Sequence, residues 1–168
     1  LELASDPLNP CYHTLIGGQI GSGKSVLLHT LISNALMRYS PEDVQMYLMD
    51  FKDGVEFKIY ADYALQNFRA VSIETEPEFG LAVLQHLAKE MYERSKRFRE
   101  ENVEGIGAYR QALARKGIAH HNMPRILLII DEYQSLLNDN SDPVHTESAE
   151  LIKEFATKGR AYGIYLIM

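Results

Sequence analysis

Eight consecutive residues near the start of the chain combine glycines with a lysine and a serine at a spacing that suits a polyphosphate. The pattern is a glycine, four further residues and then Gly-Lys-Ser. It occurs here as Gly18-Gln19-Ile20-Gly21-Ser22-Gly23-Lys24-Ser25. The glycines let the backbone curl so that its N–H groups face one point, and Lys24 adds a mobile charge for the β and γ phosphates. Ser25 supplies a hydroxyl for Mg²⁺, a hard cation that takes oxygen ligands. We therefore expect a nucleoside triphosphate site whose lining runs from Gly18 to Val26.

The elements on either side of this loop fit that interpretation. Before it, Tyr12, Thr14, Leu15 and Ile16 are typical of a short buried strand. After it, apolar residues follow helical spacing: Leu27, Leu28, Leu31, Ile32, Ala35 and Leu36. The helix places its positive N-terminal end at the loop, where a phosphate is stabilised. A glycine-rich turn that only linked a strand to a helix would leave the lysine without a role.

A second acidic motif follows a later strand. The apolar run Ile126–Ile130 has strand length and is followed by Asp131-Glu132. In open α/β sheets, ligands bind at the carboxyl ends of the strands. We expect Asp131 to hold Mg²⁺, directly or through water, as a Walker B aspartate, and Glu132 to polarise the attacking water as a general base. The alternative is an acidic pair that caps the next segment.

Composition indicates one α/β domain rather than a membrane or disulfide-rich protein. The 168 residues have a hydrophobic fraction of 46%, without an apolar run long enough for a spanning helix. Cys11 is the only cysteine, so an internal disulfide is excluded and we expect a cytoplasmic location. The chain begins at Leu1 without methionine and ends in an apolar run, so we expect residues 1–168 to be the core of a longer protein. Any membrane attachment would come from segments outside it.

Strands alternate with helices along the chain. We predict strands at Val44–Asp50 and Phe68–Ile73 and a final strand near Ile164. Helices are predicted from a capping box at Thr75–Glu78 to about Glu101, at Ala108–Lys116 and at Thr146–Lys158, with the pattern broken at Gly105–Gly107. This order implies a mainly parallel sheet between helices, a three-layer α/β/α fold. Because Val44–Asp50 lies between the two motifs, we predict an intervening strand and, by analogy, a RecA-like P-loop NTPase. No Asn-Lys-x-Asp guanine motif occurs, which favours ATP.

Ordered motifs along the whole chain resemble the motor domain of the FtsK/SpoIIIE family. They are His13–Ser25, Pro41–Val44, Leu48–Lys52, Glu90–Arg94, Asn102–Tyr109, Leu128–Tyr133 and Lys158–Leu166. The resemblance implies an ATP-hydrolysing motor that moves double-stranded DNA as a homo-oligomeric ring, commonly a hexamer. It also implies an arginine donated between subunits. Arg160 is one candidate on its motif position, and a cation favoured by the helix C-terminus is the alternative.

Two departures leave the substrate open. The segment Asp50-Phe51-Lys52-Asp53-Gly54 is closer to the Asp-Phe-Lys-Gly-Gly of the related type VII secretion motors, and Arg110 stands where the DNA pumps tend to have asparagine. The alternative substrate is therefore a secreted polypeptide. A net charge of −6 is the wrong sign for binding nucleic acid over the whole surface, although it allows a locally basic pore. Asp50 and Lys52 either reach the nucleotide or only close a loop.

We assign no catalytic role to two further groups of residues, the cations of the long helix and an adjacent pair of histidines. Arg94, Lys96, Arg97 and Arg99 alternate with glutamates on the long helix, which favours a solvated helix face. His120-His121 has no spaced cysteine or carboxylate partner, so we assign no zinc site to it.

Overall fold

The computed structural model describes residues 12–19, 21–52, 55–63, 65–72, 76–118, 122–139 and 141–168. The strands are β1 (Val44–Asp50), β2 (Phe68–Val71), β3 (Arg125–Asp131) and β4 (Ile164–Ile167). The α-helices are α1 (Lys24–Arg38), α2 (Lys58–Ala61), α3 (Pro77–Glu100), α4 (Gly105–Arg115) and α5 (Pro143–Tyr162). A 3₁₀ helix, Tyr133–Leu136, follows β3.

The strands form a parallel sheet in the order β2-β1-β3-β4. The segment before the glycine-rich loop lies along β4: the Thr14 N–H donates to the Leu166 carbonyl (2.9 Å) and the Met168 N–H to the Thr14 carbonyl (2.9 Å). The predicted first strand is therefore a short parallel extension of the sheet, but it is not buried as predicted: Leu15 is 66% exposed, and Tyr12, Thr14 and Ile16 are half-buried. A strand does separate the two motifs, as predicted, but in space it is β4 and not Val44–Asp50.

Alternate residues of each central strand face opposite sides of the sheet, as a parallel sheet covered on both faces requires. One core contains Met49, Leu128 and Leu166 together with residues of α3 and α5. The other contains Leu48, Ile129 and Ile167 together with residues of α1. The sheet is thus sandwiched between helices, and the predicted three-layer α/β/α class is confirmed.

Local sequence explains where several helices begin and end. Asp142 caps α5 by accepting a hydrogen bond from the Val144 N–H (2.8 Å), Pro143 opens the helix, and Gly163 ends it with φ 76°. α5 is thus longer than the predicted Thr146–Lys158. α4 begins at Gly105, so the predicted break at Gly105–Gly107 is wrong: a glycine with φ 83° starts the helix there.

The start of α3 and the end of β2 differ from the predicted bounds. Glu76 precedes α3 and its side chain makes no capping hydrogen bond. Thr75 of the predicted capping box and Ile73 of the predicted third strand lie outside the described residues, as do His120 and His121.

Arg110 is one of the two departures from the motifs of the DNA pumps. It fixes the connector before β3, because its Nη2 donates to the Met123 carbonyl at 2.9 Å.

The interpretation of the α3 charges as a solvated face is wrong for Arg94, which is only 1% exposed. Its Nε donates to Glu90 Oε1 (2.8 Å) and its Nη1 to the Tyr162 carbonyl (2.7 Å). Burial lowers the pKa of Arg94, against the hydrogen bond and the charge of Glu90, which raise it. Arg94 therefore ties α3 to the end of α5, while Arg97 and Arg99 are exposed as expected.

Candidate functional site

The glycine-rich loop has the backbone that its sequence predicts. Gly21 (φ 80°) and Gly23 (φ 89°) lie in the left-handed region, which side-chain-bearing residues rarely adopt. At Gly18 a Cβ atom would come within 2.3 Å of Ser22 Oγ. α1 begins at Lys24 immediately after the loop, so its positive end faces the same space.

The second motif lies at the carboxyl end of β3, next to this loop. β3 ends at Asp131, and Glu132 takes a left-handed backbone (φ 54°) that turns the chain into the 3₁₀ helix. Lys24 Nζ donates to Glu132 Oε1 (3.1 Å) and to Asp131 Oδ1 (3.4 Å). The Glu132 N–H donates to Asp131 Oδ1 (3.0 Å), and Gln134 Nε2 donates to Glu132 Oε2. The two predicted motifs therefore meet at one place.

The charges at this meeting point stabilise each other. Burial alone would lower the pKa of Lys24, but hydrogen bonds and charges from Glu132 and Asp131 outweigh it and raise that pKa. The hydrogen bond from Lys24 lowers the pKa of Glu132, although partial burial opposes it, and the positive charges of Lys24 and Lys52 add to the lowering. Lys24 is therefore a cation and Glu132 a carboxylate at neutral pH, the forms that their expected roles need.

A cleft of about 440 Å³ opens at this edge of the sheet, a volume typical of small-ligand sites. Its lining contains all described members of the expected set: Gly18, Gln19, Gly21, Ser22, Gly23, Lys24, Ser25, Val26, Asp131 and Glu132. Ile20 lies outside the described residues. The expected site is thus one continuous surface.

Four further cleft residues come from β1 and the loop that follows it: Asp50, Lys52, Val55 and Glu56. The sequence motifs leave the role of Asp50 and Lys52 open and do not indicate Val55 or Glu56. For Glu56 the sequence does carry one signal, an acidic residue shortly after a strand that ends at the ligand edge. Asp50 and Asp131 are paired residues of neighbouring strands, which brings this loop beside the second motif.

Arg160 lies away from this cleft within the chain. Its guanidinium stacks on the ring of Tyr12, 3.7 Å from the centroid, and it belongs to the last turn of α5. α5 leads into the amino end of β4, whereas the cleft lies at the carboxyl ends of the strands. Within the chain Arg160 therefore does not reach this cleft.

The described residues contain neither a preformed metal cluster nor a membrane-spanning helix. No cluster of three or more His, Cys, Asp or Glu side chains is arranged as a metal site there. In the same part of the chain, every helix is too short or too polar to cross a bilayer.

Comparisons with known proteins agree with this geometry. The model of the FtsK/SpoIIIE family matches residues 2–168. The DNA translocase FtsK of Clostridium tetani (strain Massachusetts / E88) is 36% identical over 160 residues, which cover 93% of this chain and 20% of that protein. The chain therefore spans about a fifth of the length of this relative.

Two solved structures share the fold. The cytoplasmic domain of the Thermomonospora curvata type VII secretion ATPase EccC is 31% identical, with a TM-score of 0.75 over 92% of this chain and 17% of that one. The pCW3 conjugation coupling protein TcpA, solved as a monomer form with ATPγS, is 25% identical, with a TM-score of 0.67 over 93% of this chain and 42% of that one. The ordered motifs, the sheet and the family match agree, and this chain belongs to the FtsK/SpoIIIE family.

Proposed function

We propose that residues 1–168 form a single RecA-like ATPase core that hydrolyses ATP. The observation that carries this proposal is the meeting of Lys24 with Asp131 and Glu132 at a cleft whose other wall is a glycine-rich loop. A loop that merely linked two elements would not need a lysine directed at two carboxylates.

The donor set fits a magnesium-bound triphosphate. The backbone N–H groups from Gly21 to Ser25 and the Lys24 ammonium would bind phosphate oxygens. The Ser25 hydroxyl and, directly or through water, the Asp131 carboxylate would hold the metal. Bound Mg²⁺ would neutralise part of the phosphate charge. Glu132, held as a carboxylate, orients the attacking water and accepts its proton. On ATP binding, Lys24 exchanges its contacts with Glu132 and Asp131 for phosphate oxygens, which frees Glu132 for the water.

We further propose that the assembled motor is a homo-oligomeric ring, commonly a hexamer, that translocates double-stranded DNA. Support comes from the FtsK relative in C. tetani and from the ordered motifs. We expect the protein to work in the cytoplasm, with any attachment to the inner face of the membrane through segments outside this chain. The arginine that completes the site would come from a neighbouring subunit, for which Arg160 remains a candidate because it is exposed.

Steady-state ATP hydrolysis by the full-length protein, with and without long duplex DNA, tests both parts. We expect multiple turnovers and a higher rate with DNA at low salt. Absence of stimulation at low salt would remove the DNA part of the proposal. Absence of multiple turnovers by the assembled protein would leave a nucleotide-gated assembly module instead of an ATPase.

The second candidate is a motor that exports a polypeptide. It is favoured by Asp50-Phe51-Lys52-Asp53-Gly54, of which Asp53 and Gly54 lie outside the described residues, and by the fold match to EccC. ATPase modules in tandem, and small helical secreted proteins encoded beside the gene, would favour export. Stimulation of ATP hydrolysis by such a secreted protein, and not by DNA, would favour the polypeptide-exporting motor.

A further inference from the structure

Four carboxylates among the described residues border the cleft: Asp50, Glu56, Asp131 and Glu132. Asp50 accepts the N–H groups of Lys52 (2.9 Å) and Glu56 (3.1 Å), one on each oxygen. Glu132 uses one oxygen for Lys24 and the other for Gln134. Within the described part of the chain, Asp131 Oδ2 and Glu56 Oε2 are therefore the carboxylate oxygens of the cleft without a hydrogen-bond donor.

Glu56 is held in place from behind by α1, the helix that begins at the phosphate loop. His29 Nε2 lies 2.8 Å from Glu56 Oε1 and donates to it, because an ionised carboxylate can only accept. The other ring nitrogen, Nδ1, lies 2.7 Å from the Tyr60 hydroxyl. Both ring nitrogens of His29 are thus engaged, which fixes the direction of the Glu56 side chain.

Anchoring the loop does not require this hydrogen bond. Phe57 is fully buried in the core beneath α1, and the Asp50 carboxylate already fixes the backbone of Lys52 and Glu56. The side chains of His29 and Glu56 are 34% and 29% exposed, and pairs with such exposure contribute at most about 1 kcal/mol to stability. The fixed direction of the Glu56 carboxylate is therefore better explained by a role in the cleft that it lines than by a contribution to the stability of the loop.

We propose that Glu56, oriented by His29, is a second water-binding carboxylate of the nucleotide site. It accepts a hydrogen bond from a water molecule bound to the metal or positioned for attack, while Asp131 serves the metal and Glu132 serves as general base. A carboxylate that faced a bare phosphate would repel it, but one that accepts from an intervening water is attractive. His29 is the positioning residue. This inference rests on the proposed ATPase function.

Kinetic variants of the full-length protein provide the first test. Glu56→Gln and His29→Leu should each lower kcat by at least about 10-fold, the usual cost of removing a group that supports a metal site from outside its ligands. The KM for ATP and the affinity for ATPγS should stay within about twofold, because binding to the loop is intact. His29→Gln keeps an N–H donor for Glu56 and should retain most of the rate. Glu150→Gln and His86→Leu, exposed residues outside the cleft, are matched controls.

A spectroscopic measurement without turnover provides the second test. In protein with isotope-labelled histidine, the His29 ring signals, identified by their loss in His29→Gln, should shift when ATPγS and Mg²⁺ are added. The shift should be much smaller with ATPγS and a chelator, and absent in Glu56→Gln. An unchanged His29 signal on adding ATPγS with Mg²⁺, or Glu56→Gln and His29→Leu rates equal to their controls in an active protein, would overturn the inference. Inactive wild-type protein would instead overturn the proposed ATPase function.

Discussion

Lys24 Nζ and Glu132 Oε1 are 3.1 Å apart, although 108 positions separate the two residues in the sequence. This contact joins the loop before α1 to the end of β3. In the sheet, β4 lies between β3 and the segment around Thr14 that leads into the loop. The parallel order of the strands is what brings both to one edge. The lysine and the glutamate therefore belong to one site, and their roles can be separated by substitution.

Lys24→Ala should weaken ATP binding by about 10- to 100-fold, since charged hydrogen bonds contribute about 1.5–3 kcal/mol. Titration with a fluorescent ATP analogue measures this directly. Lys58→Ala, an exposed lysine on α2, is the control and should bind normally. Unchanged affinity in Lys24→Ala would contradict its role at the phosphates.

Glu132→Gln should keep ATP bound and slow hydrolysis by about 10²–10⁴-fold, the usual contribution of a general base. The amide keeps the size of the side chain but cannot accept the proton. Equilibrium binding and single-turnover hydrolysis distinguish the two steps, with Glu150→Gln as control. A normal single-turnover rate would assign the base to another carboxylate of the cleft, for which Glu56 is a candidate.

The two motifs and most elements were predictable because each is a local pattern. Gly18–Ser25 and Ile126–Glu132 carry their own signals. The strands β1, β3 and β4 follow from short apolar runs, and α1 follows from apolar residues at helical spacing. The position of β4 between the two motif strands was not predictable, since sequence order does not determine spatial order in a sheet. The left-handed backbone of Glu132 and the short 3₁₀ helix after it leave no clear pattern either.

Contacts between distant elements account for the rest. Arg94 sits in a run of alternating charges that is typical of an exposed face. Its burial depends on Glu90 and on the Tyr162 carbonyl of α5, and the second of these partners is distant in sequence. The His29–Glu56 contact joins α1 to the loop after β1. Neither residue is part of a short motif, so single-sequence reasoning has no means of pairing them.

The stability of the fold should depend on the protonation of His13. The Leu166 N–H donates to His13 Nδ1 (3.1 Å), which requires that nitrogen to be unprotonated, and burial lowers the pKa of His13 below its ordinary 6.5. A lowered pKa in the folded state means that the unfolded chain binds the proton more readily. The contribution of neutral His13 to the free energy of unfolding is therefore complete above pH 6.5, and it is lost as the pH falls through the lowered pKa.

His13→Asn should reduce this pH dependence, because the Asn side-chain oxygen can accept the same hydrogen bond without titrating. Urea unfolding at about pH 7.5 and 5.5, on either side of the ordinary histidine pKa, measures the free energy of unfolding of both proteins. The other histidines are common to both and cancel in the comparison. Equal losses of stability between the two pH values in both proteins would contradict the prediction.

Arg94→Lys should lower the free energy of unfolding by about 2–3 kcal/mol, because it leaves buried polar groups without partners. A lysine cannot reach Glu90 and the Tyr162 carbonyl with the planar geometry that the guanidinium uses. Arg99→Lys on the exposed side of α3 is the control and should change stability by less than about 0.5 kcal/mol. Urea unfolding measures both, and equal stabilities of the two variants would show that the buried contacts contribute little.

Gly80→Ala should destabilise the protein and disturb the cleft, since α3 packs at this glycine against the residues that follow two cleft strands. A Cβ atom at Gly80 would lie 2.5 Å from Phe51 Cζ and 3.1 Å from Leu136 Cδ1. Phe51 follows Asp50 directly, and Leu136 ends the 3₁₀ helix after Glu132, so relief of the overlap moves both loops. We expect a loss of about 1–3 kcal/mol, the usual cost of overpacking.

Gly107→Ala in α4 is the matched control. A Cβ atom there meets nothing within 4 Å, so the change should stabilise the protein by about 0.5–1 kcal/mol through helix propensity. Thermal unfolding of both variants, with ATPγS affinity measured alongside, separates packing from propensity. Gly80→Ala should also weaken ATPγS binding, because the walls that carry Asp50 and Glu132 shift, whereas Gly107→Ala should not. Equal stabilisation by both substitutions would contradict the prediction, because it would mean that α3 can move away from Phe51 without a loss of stability.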